Sequence, residues 1–439
     1  MVSQIILIAL FLFWLKCFLF WLWLWQLKEY HIGRFLAHFE TQKVKKFISS
    51  FWRIKYPKFT KKITIVLFAG QLLAVLWMFF LPGFLLVILS PIFSSILVLF
   101  FQIPTVVWRR ILINKAKEKR ERFPDLIVIG ITGSYGKTST KEILAHILSK
   151  KFNVLKTKEH QNSEVGVSQC ILRELGPEHQ IFVVEMGAYN MGGIKLLCDI
   201  VKPRIGILTG INEQHMATFG SQESIIKTKY ELIESLPKDG IAFFNGKNKY
   251  CRELYQKTLR AGSSQAFLYG ENVKMPGLEN VEGAKAVARE LGMADEEVSQ
   301  ASKDFENKLP GVEIKRGING LNILDASYSA NPNSVMAHLD YLQTLSGKKI
   351  IIMPCLIELG RAAKEVHKRI GEMVARVCDL AIITTNDYFK ELKGESDKII
   401  LIESPKEILK KIKEVSHPGD PVLLEGRISV RLYKILLSI

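Results

Sequence analysis

The residues best suited to do chemistry begin with one short run, Gly130-Ile131-Thr132-Gly133-Ser134-Tyr135-Gly136-Lys137-Thr138-Ser139. It follows the apolar stretch Leu126 to Ile129 and opens a helical pattern from Thr138 to Lys150. Glycines let a backbone curl so that its N–H groups face phosphate oxygens, and the following helix N-terminus adds positive potential. Lys137 would neutralise the outer phosphates and Thr138 could hold Mg²⁺, with Gly133, Ser134, Gly136 and Ser139 completing the cradle. Ile131 stands where the strict motif has its first glycine, while Thr-Gly-x-x-Gly-Lys-Thr is intact. Glu185 ends the run Val183-Val184-Glu185, at the carboxyl end of a strand where open α/β sheets place ligand groups. His215 follows a further strand in a polar loop. Taken singly, such a Glu or His is more often a solvated surface group than a ligand.

Positioning these groups needs a parallel sheet. Leu126–Ile129, Ile181–Val184 and Ile205–Leu208 are compact apolar runs suited to buried strands, separated by helical patterns such as Val165 to Leu175. This alternation predicts helices on a parallel sheet. A second alternating region starts near Ile314, with strands expected at Leu321–Leu324, Lys349–Met353, Leu380–Thr384 and Val422–Leu424, after a helix from Val281 to Leu291. Boundaries fall at Arg122-Phe123-Pro124 and Pro310-Gly311. The fold class is α/β, with a P-loop parallel-sheet central domain over 123–312 and a Rossmann-like C-terminal domain over 313–439. Six scattered cysteines without Cys-x-x-Cys spacing fit reduced thiols.

Residues 1–122 read differently. The chain carries a net charge of +17 over 439 residues, but +8 of it lies in residues 27–62 and +5 in 109–122, leaving +3 beyond residue 123. Between them residues 63–108 carry no charge at all, and 1–26 carry only Lys16. Apolar spans over about 4–26, 63–81 and 84–108, the last two separated by Pro82-Gly83, are each long enough for a hydrocarbon core of about 30 Å. Basic flanks predict a multi-pass anchor in the cytoplasmic membrane, with 27–62 and everything after 109 in the cytoplasm. A signal peptide would need a basic leader and a small-residue cleavage site. The basic excess therefore reports topology, and no nucleic-acid partner is expected. Lys16 is read as a packing residue within the first span.

With these residues in view, the chain resembles the ATP-dependent Mur ligases. The resemblance rests on Thr132 to Thr138, on Glu185-Met186-Gly187-Ala188, on His215 before Gly220-Ser221, and on Ser224 to Glu231. Further matches are Gln161 to Val167, Ser327-Tyr328-Ser329-Ala330-Asn331-Pro332, and Glu358-Leu359-Gly360 with His367. Together they cover about residues 125 to 430 and point to the MurF type, which joins D-Ala-D-Ala to a UDP-muramoyl tripeptide. The resemblance implies a ligase of peptidoglycan precursor synthesis that activates a carboxylate as an acyl phosphate for attack by an amine. It implies Lys137, His215 and Lys229 as catalytic residues, with Asn280, Asp325 and Asn331 joining the P-loop in nucleotide binding. It also implies two Mg²⁺ ions served by Thr138, Glu185, His215 and Lys229, the last carbamylated into an anionic oxygen donor.

Several positions depart from the family pattern. Gly210 replaces an Asn, Val312 an Arg, Asp325-Ala326 a pair of aspartates, and Glu425-Gly426-Arg427 a Lys-Gly-Ser-Arg run. Ala326 cannot accept the ribose hydrogen bond of the second Asp, which leaves Asp325 to substitute. The membrane spans stand where the family has a UDP-binding domain, so the acceptor is expected to be a UDP-muramoyl peptide or a lipid-linked counterpart. Membrane-associated poly-γ-glutamate synthases form a second enzymatic alternative, and a catalytically weakened envelope scaffold a third reading.

Overall fold

The computed structural model describes residues 2–27, 30, 32, 35, 55–80, 82–159, 161–262, 265–273, 277–306, 312–327 and 330–437. The chain divides into two compact units, Met1–Leu112 and Ile113–Ile439. Pro310-Gly311, Tyr328, Ser329 and most of the basic segment 27–62 lie outside the described residues.

In the first unit, helix Val2–Leu27 packs Trp14, Phe18, Leu22 and Trp25 against Ile63, Val66, Ala74, Leu86, Leu97 and Val98. Gly70 permits the close approach, since a Cβ there would lie 2.4 Å from the Phe18 ring. Trp25 Nε1 donates to Ser95 Oγ at 3.0 Å. Phe79 and Phe80 are about four-fifths exposed, at 78% and 82%. Three helical stretches, Ile8–Leu27, Lys61–Phe80 and Ser90–Glu121, are long and apolar enough to cross a bilayer by length and composition. The third differs from the expected single span at 84–108. It is built from helices Ser90–Phe100 and Ile103–Glu121, preceded by the short helix Gly83–Ile88, and it runs on through the basic residues. Pro91 and Pro104 fall at the second position of the later two helices, where a missing N–H costs nothing, so each prolines starts a helix afresh rather than sitting inside one.

The second unit contains two six-stranded sheets. The first comprises β1 (Ile127–Thr132), β2 (Val154–Lys156), β3 (Ile181–Glu185), β4 (Ile205–Leu208), β5 (Ile241–Asn245) and β6 (Gln265–Tyr269). Its order is β2-β3-β1-β4-β5-β6, all parallel. Strand alternation sends Ile129 and Ile131 to one face, where they meet helices Lys137–Leu148 and Leu278–Glu290; Val128 goes to the other, against Glu164–Glu174, Gly193–Val201 and Gln222–Glu234. With both faces covered, β1, β3 and β4 must be apolar up to their carboxyl ends, where Thr132 and Glu185 stand, which is why they read as nearly unbroken runs. The consequence for function lies in the order. β3 and β4 flank β1, so their carboxyl ends and the loop after β1 converge on the crevice where strand order reverses.

The second sheet comprises β7 (Glu313–Arg316), β8 (Asn322–Ala326), β9 (Ile350–Met353), β10 (Leu380–Ile383), β11 (Ile399–Leu401) and β12 (Pro421–Glu425), in the order β11-β10-β9-β12-β8-β7. Only β7 is antiparallel. Helices Pro332–Thr344 and Ala363–Val377 cover one face, and Pro405–Val415 with Val430–Leu437 the other.

Candidate active site

The loop after β1 shows why its glycines are needed. Gly133 has φ +157° and Gly136 φ +78°, and a Cβ at either would meet Thr209 Oγ1 at 2.2 Å or Asn280 Oδ1 at 2.5 Å. Lys137, the first residue of its helix, is half-buried and donates to Gly133 O at 2.8 Å. Burial pushes its ammonium below the usual lysine range, and Glu185 pulls it back up. Asn280 accepts from Thr140 Oγ1 at 3.2 Å, which fixes it beside the loop.

Glu185 lies opposite Ile131 in the register of β3 with β1, and so emerges next to the phosphate loop. Its Oε2 accepts from Thr138 Oγ1 at 2.9 Å and its Oε1 from Asn162 Nδ2 at 3.1 Å. Lys141, one turn beyond Thr138 and fully buried, brings Nζ to 3.6 Å from Glu185 Oε2 and 3.1 Å from Glu142. These are ion-pair distances without a well-aligned hydrogen bond. Among the described residues no three His, Cys, Asp or Glu side chains converge on one point. A hydroxyl and a carboxylate side by side, completed by substrate phosphates and water, are nevertheless the donors Mg²⁺ accepts, since it keeps several waters and takes one or two carboxylates. Thr138 and Glu185 fit such an ion.

His215 has φ +66° and sets its Nδ1 2.5 Å from Glu358 Oε2, which comes from the loop after β9. Burial lowers its pKa, Glu358 raises it, and Lys137 and Lys229 lower it further. Lys229, in helix Gln222–Glu234, is 3% exposed and forms no hydrogen bond or ion pair with any described residue; its Nζ stands 5.9 Å from the Phe219 ring centroid. Burial first, and then the nearby Lys137 charge, lower its pKa to about 7. A lysine in this state supplies the neutral amine that carbamylation consumes.

The second sheet closes the other wall. Asn331 caps helix Pro332–Thr344 by accepting from Asn333 N and Ser334 N, and Asn212 Nδ2 donates across to Asn331 Oδ1 at 3.0 Å and to Asn333 Oδ1 at 2.9 Å. The resulting cleft, about 850 Å³, is lined by Ser134–Ser139, Asn280, Asn331 and His215 among others. Asp325 is not brought into it. Its carboxylate is held by Lys315 at 2.6 Å, Tyr433 at 2.7 Å and Ser327 Oγ at 2.6 Å. Ala326 is buried in the core of the second sheet. Glu425 is fully buried, and its Oε2 lies 2.6 Å from His338 Nδ1. Gly210 has φ +153°, and a Cβ there would lie 2.3 Å from the Tyr135 ring; the aromatic ring thus takes the space of the side chain this position lacks.

Residues 131–327 match the Mur ligase middle domain, and residues 312–428 the Mur ligase glutamate ligase domain. The UDP-N-acetylmuramoyl-tripeptide--D-alanyl-D-alanine ligase of Synechocystis is 30% identical over 341 residues, 71% of this chain and 74% of the relative. The chain belongs to the Mur ligase family. The ligase of the same name from Bacillus subtilis is 27% identical, covering 70% and 75% of the two chains. Among solved structures, MurF ligase from Thermotoga maritima in complex with ADP aligns with a TM-score of 0.65 at 27% identity, over 74% of this chain and 82% of that one. The fold of a MurF from Acinetobacter baumannii is also shared, with a TM-score of 0.68 at 23% identity over 75% and 81%. For a Mur ligase, sequence reasoning missed Asn162, Lys141, Asn212 and Glu358. Asn162 and Glu358 lie inside stretches that carried the resemblance, but nothing in their spacing tells which side chain turns toward Glu185 or His215.

Proposed function

We propose that this Mur ligase is a MurF-like, ATP-dependent, ADP-forming amide ligase of peptidoglycan precursor synthesis. The observation that carries the reading is the meeting of Lys137, Thr138 and Glu185 at the crevice of the first sheet, with His215 on the same cleft and buried Lys229 electrostatically coupled to Lys137 and His215. The loop amides and Lys137 hold the triphosphate and orient its γ-phosphorus toward an acceptor carboxylate. A carboxylate oxygen displaces ADP to give an acyl phosphate. The amine of an amino acid or dipeptide such as D-Ala-D-Ala then attacks the carbonyl carbon, phosphate leaves, and the surplus ammonium proton passes to the medium. Thr138, Glu185, His215 and a carbamylated Lys229 would hold one or two Mg²⁺ ions, which supply neutralisation of phosphate charge. Asn280 and Asn331 grip the nucleotide from the two walls of the cleft.

Residues 1–122 serve as a multi-pass anchor, with 123–312 and 313–439 as the two catalytic domains in the cytoplasm. The support is the three apolar helical stretches and the basic residues beside them. The acceptor is a muramoyl peptide, UDP-linked or lipid-linked. Full-length protein in detergent is assayed for phosphate release from ATP with D-Ala-D-Ala and each acceptor; Lys137→Ala is expected to lose at least a hundredfold. Turnover with glutamate alone would replace this reading with a polymer synthase, and absence of ATP binding would replace it with a scaffold. A C-terminal reporter active only outside the cytoplasm would invert the topology.

A further inference from the structure

Two residues in left-handed backbone conformations meet across the cleft. His215 has φ +66° and Glu358 φ +65°, each at a cost of roughly 1–2 kcal/mol for a residue other than glycine. They are joined twice. The Glu358 carboxylate lies 2.5 Å from His215 Nδ1, and the Glu358 carbonyl accepts from Ala217 N at 3.2 Å. Gly360, φ +53°, allows this approach, because a Cβ there would lie 2.9 Å from Ala217 N. The Tyr189 ring stands edge-on to the imidazole, with centroids 5.2 Å apart.

The loop carrying Glu358 is held from behind. His367 is fully buried and stacks on Tyr388 with centroids 4.6 Å apart. Its Nε2 accepts from Leu356 N at 2.9 Å, so the ring proton sits on Nδ1 and is donated to Ala363 O at 2.6 Å. Cys355 N donates to Thr385 Oγ1 at 2.8 Å. Backbone strain that persists inside such a framework belongs to a position the fold dictates.

The chemistry of the pair follows from the two nitrogens of imidazole. With Nδ1–H donated to a carboxylate, the proton cannot reside on Nε2, whose lone pair is then free for a divalent ion, and the ring is fixed in rotation. We propose that Glu358 is the positioning residue that orients His215 as a metal ligand, and that docking of the second domain on the first is the event that supplies it. His215 and Glu358 come from different sheets, so their bond exists only when the domains are together. Divalent metal binding and domain docking must then strengthen each other by the same factor.

The inference rests on the reading of this site as an Mg²⁺-dependent nucleotide site, and the test separates the two. ADP binding to the full-length protein is titrated calorimetrically against Mg²⁺, and bound Mn²⁺ is followed by electron paramagnetic resonance. Glu358→Ala is expected to raise the metal concentration needed by about 10–100-fold, with ADP affinity in the absence of metal unchanged. Glu358→Gln, whose amide oxygen still accepts from Nδ1–H, should stay within about threefold of wild type, because it keeps the hydrogen bond. Glu358→Ala combined with His215→Ala should be no weaker than His215→Ala alone, since both act through one ring. A wild-type metal titration in Glu358→Ala, equal losses in the Gln and Ala variants, or additive losses in the double variant would each overturn the proposal. Wild-type protein without metal-dependent ADP binding would overturn the nucleotide-site reading itself, and the inference with it.

Discussion

Replacing Lys229 by methionine should make the resting protein more stable while abolishing ligation. Lys229 is buried and lacks an ion-pair partner among the described residues, and burial with the Lys137 charge lowers its pKa from 10.5 to about 7. In the unfolded chain the amine returns to its ordinary value, so between those limits the unfolded state binds the extra proton and stability rises with pH. The penalty is full below about pH 7, where it amounts to about 5 kcal/mol. It fades toward pH 10.5. Methionine fills the same space without the charge, so the stabilising effect of Lys229→Met should be largest near pH 7 and smaller at pH 9. The same depression raises the neutral amine at pH 7 from about three molecules in ten thousand to about half, which is the form that reacts with CO₂. The assay is the denaturation midpoint of wild type and variant at pH 7 and 9 in CO₂-free buffer, then with ¹³C-bicarbonate under carbon NMR. Bicarbonate should raise the wild-type midpoint and give a carbamate resonance absent from Lys229→Met. A variant no more stable than wild type at pH 7, or a difference that grows with pH, would refute the argument from burial. Full ligase activity in the variant would remove the carbamate from the mechanism.

Gly210→Ala places a Cβ 2.3 Å from the Tyr135 ring at φ +153°, and should cost about 1–3 kcal/mol by overpacking; thermal midpoints should show Tyr135→Ser recovering part of that loss. Lys141→Met removes the fully buried cation 3.6 Å from the Glu185 carboxylate, leaving Lys137 as its remaining basic neighbour, so destabilisation of up to about 3–5 kcal/mol is expected. An unchanged midpoint in Lys141→Met would show that Thr138, Asn162 and Lys137 satisfy Glu185 without it.

Much of the site was legible because it obeys local rules. A strand, glycines, Lys137 and Thr138 in fixed spacing permit few folds, and the doubly covered strands betray themselves by unbroken apolar runs. Strands β2, β6, β7 and β11 escaped notice because they are short or form the sheet edges, where exposed residues such as Phe267 and Ile314 break the apolar pattern; neither reason applies to β5, a buried interior run. Hydropathy also does not register Pro91 and Pro104, each of which sits at the start of a helix within the third apolar stretch. Nor can sequence show that Lys315 and Tyr433 reach the Asp325 carboxylate from 10 and 108 residues away.

Net charge conceals the electrostatics that matter most here. Residues 123–439 are nearly balanced at +3, yet the space around Glu185 gathers Lys137, Lys141 and, through shared repulsion, Lys229 and His215. Burial is the largest cause of the lowered pKa values of Lys137, His215 and Lys229, and repulsion from neighbouring lysines adds to it at His215 and Lys229, whereas Glu185 pulls Lys137 back up. Such a site is stabilised by whatever brings negative charge into it. Triphosphate, acceptor carboxylate and carbamate all do so, which makes the strained resting state a device for selecting anionic ligands. The departure at Gly210 leaves this centre untouched because Tyr135 fills the space, and Glu425 finds a local hydrogen-bond partner in His338 at 2.6 Å. A scaffold freed from catalysis would have no reason to retain an unpaired buried Lys229, which lowers stability at neutral pH and contributes only when chemistry calls on it.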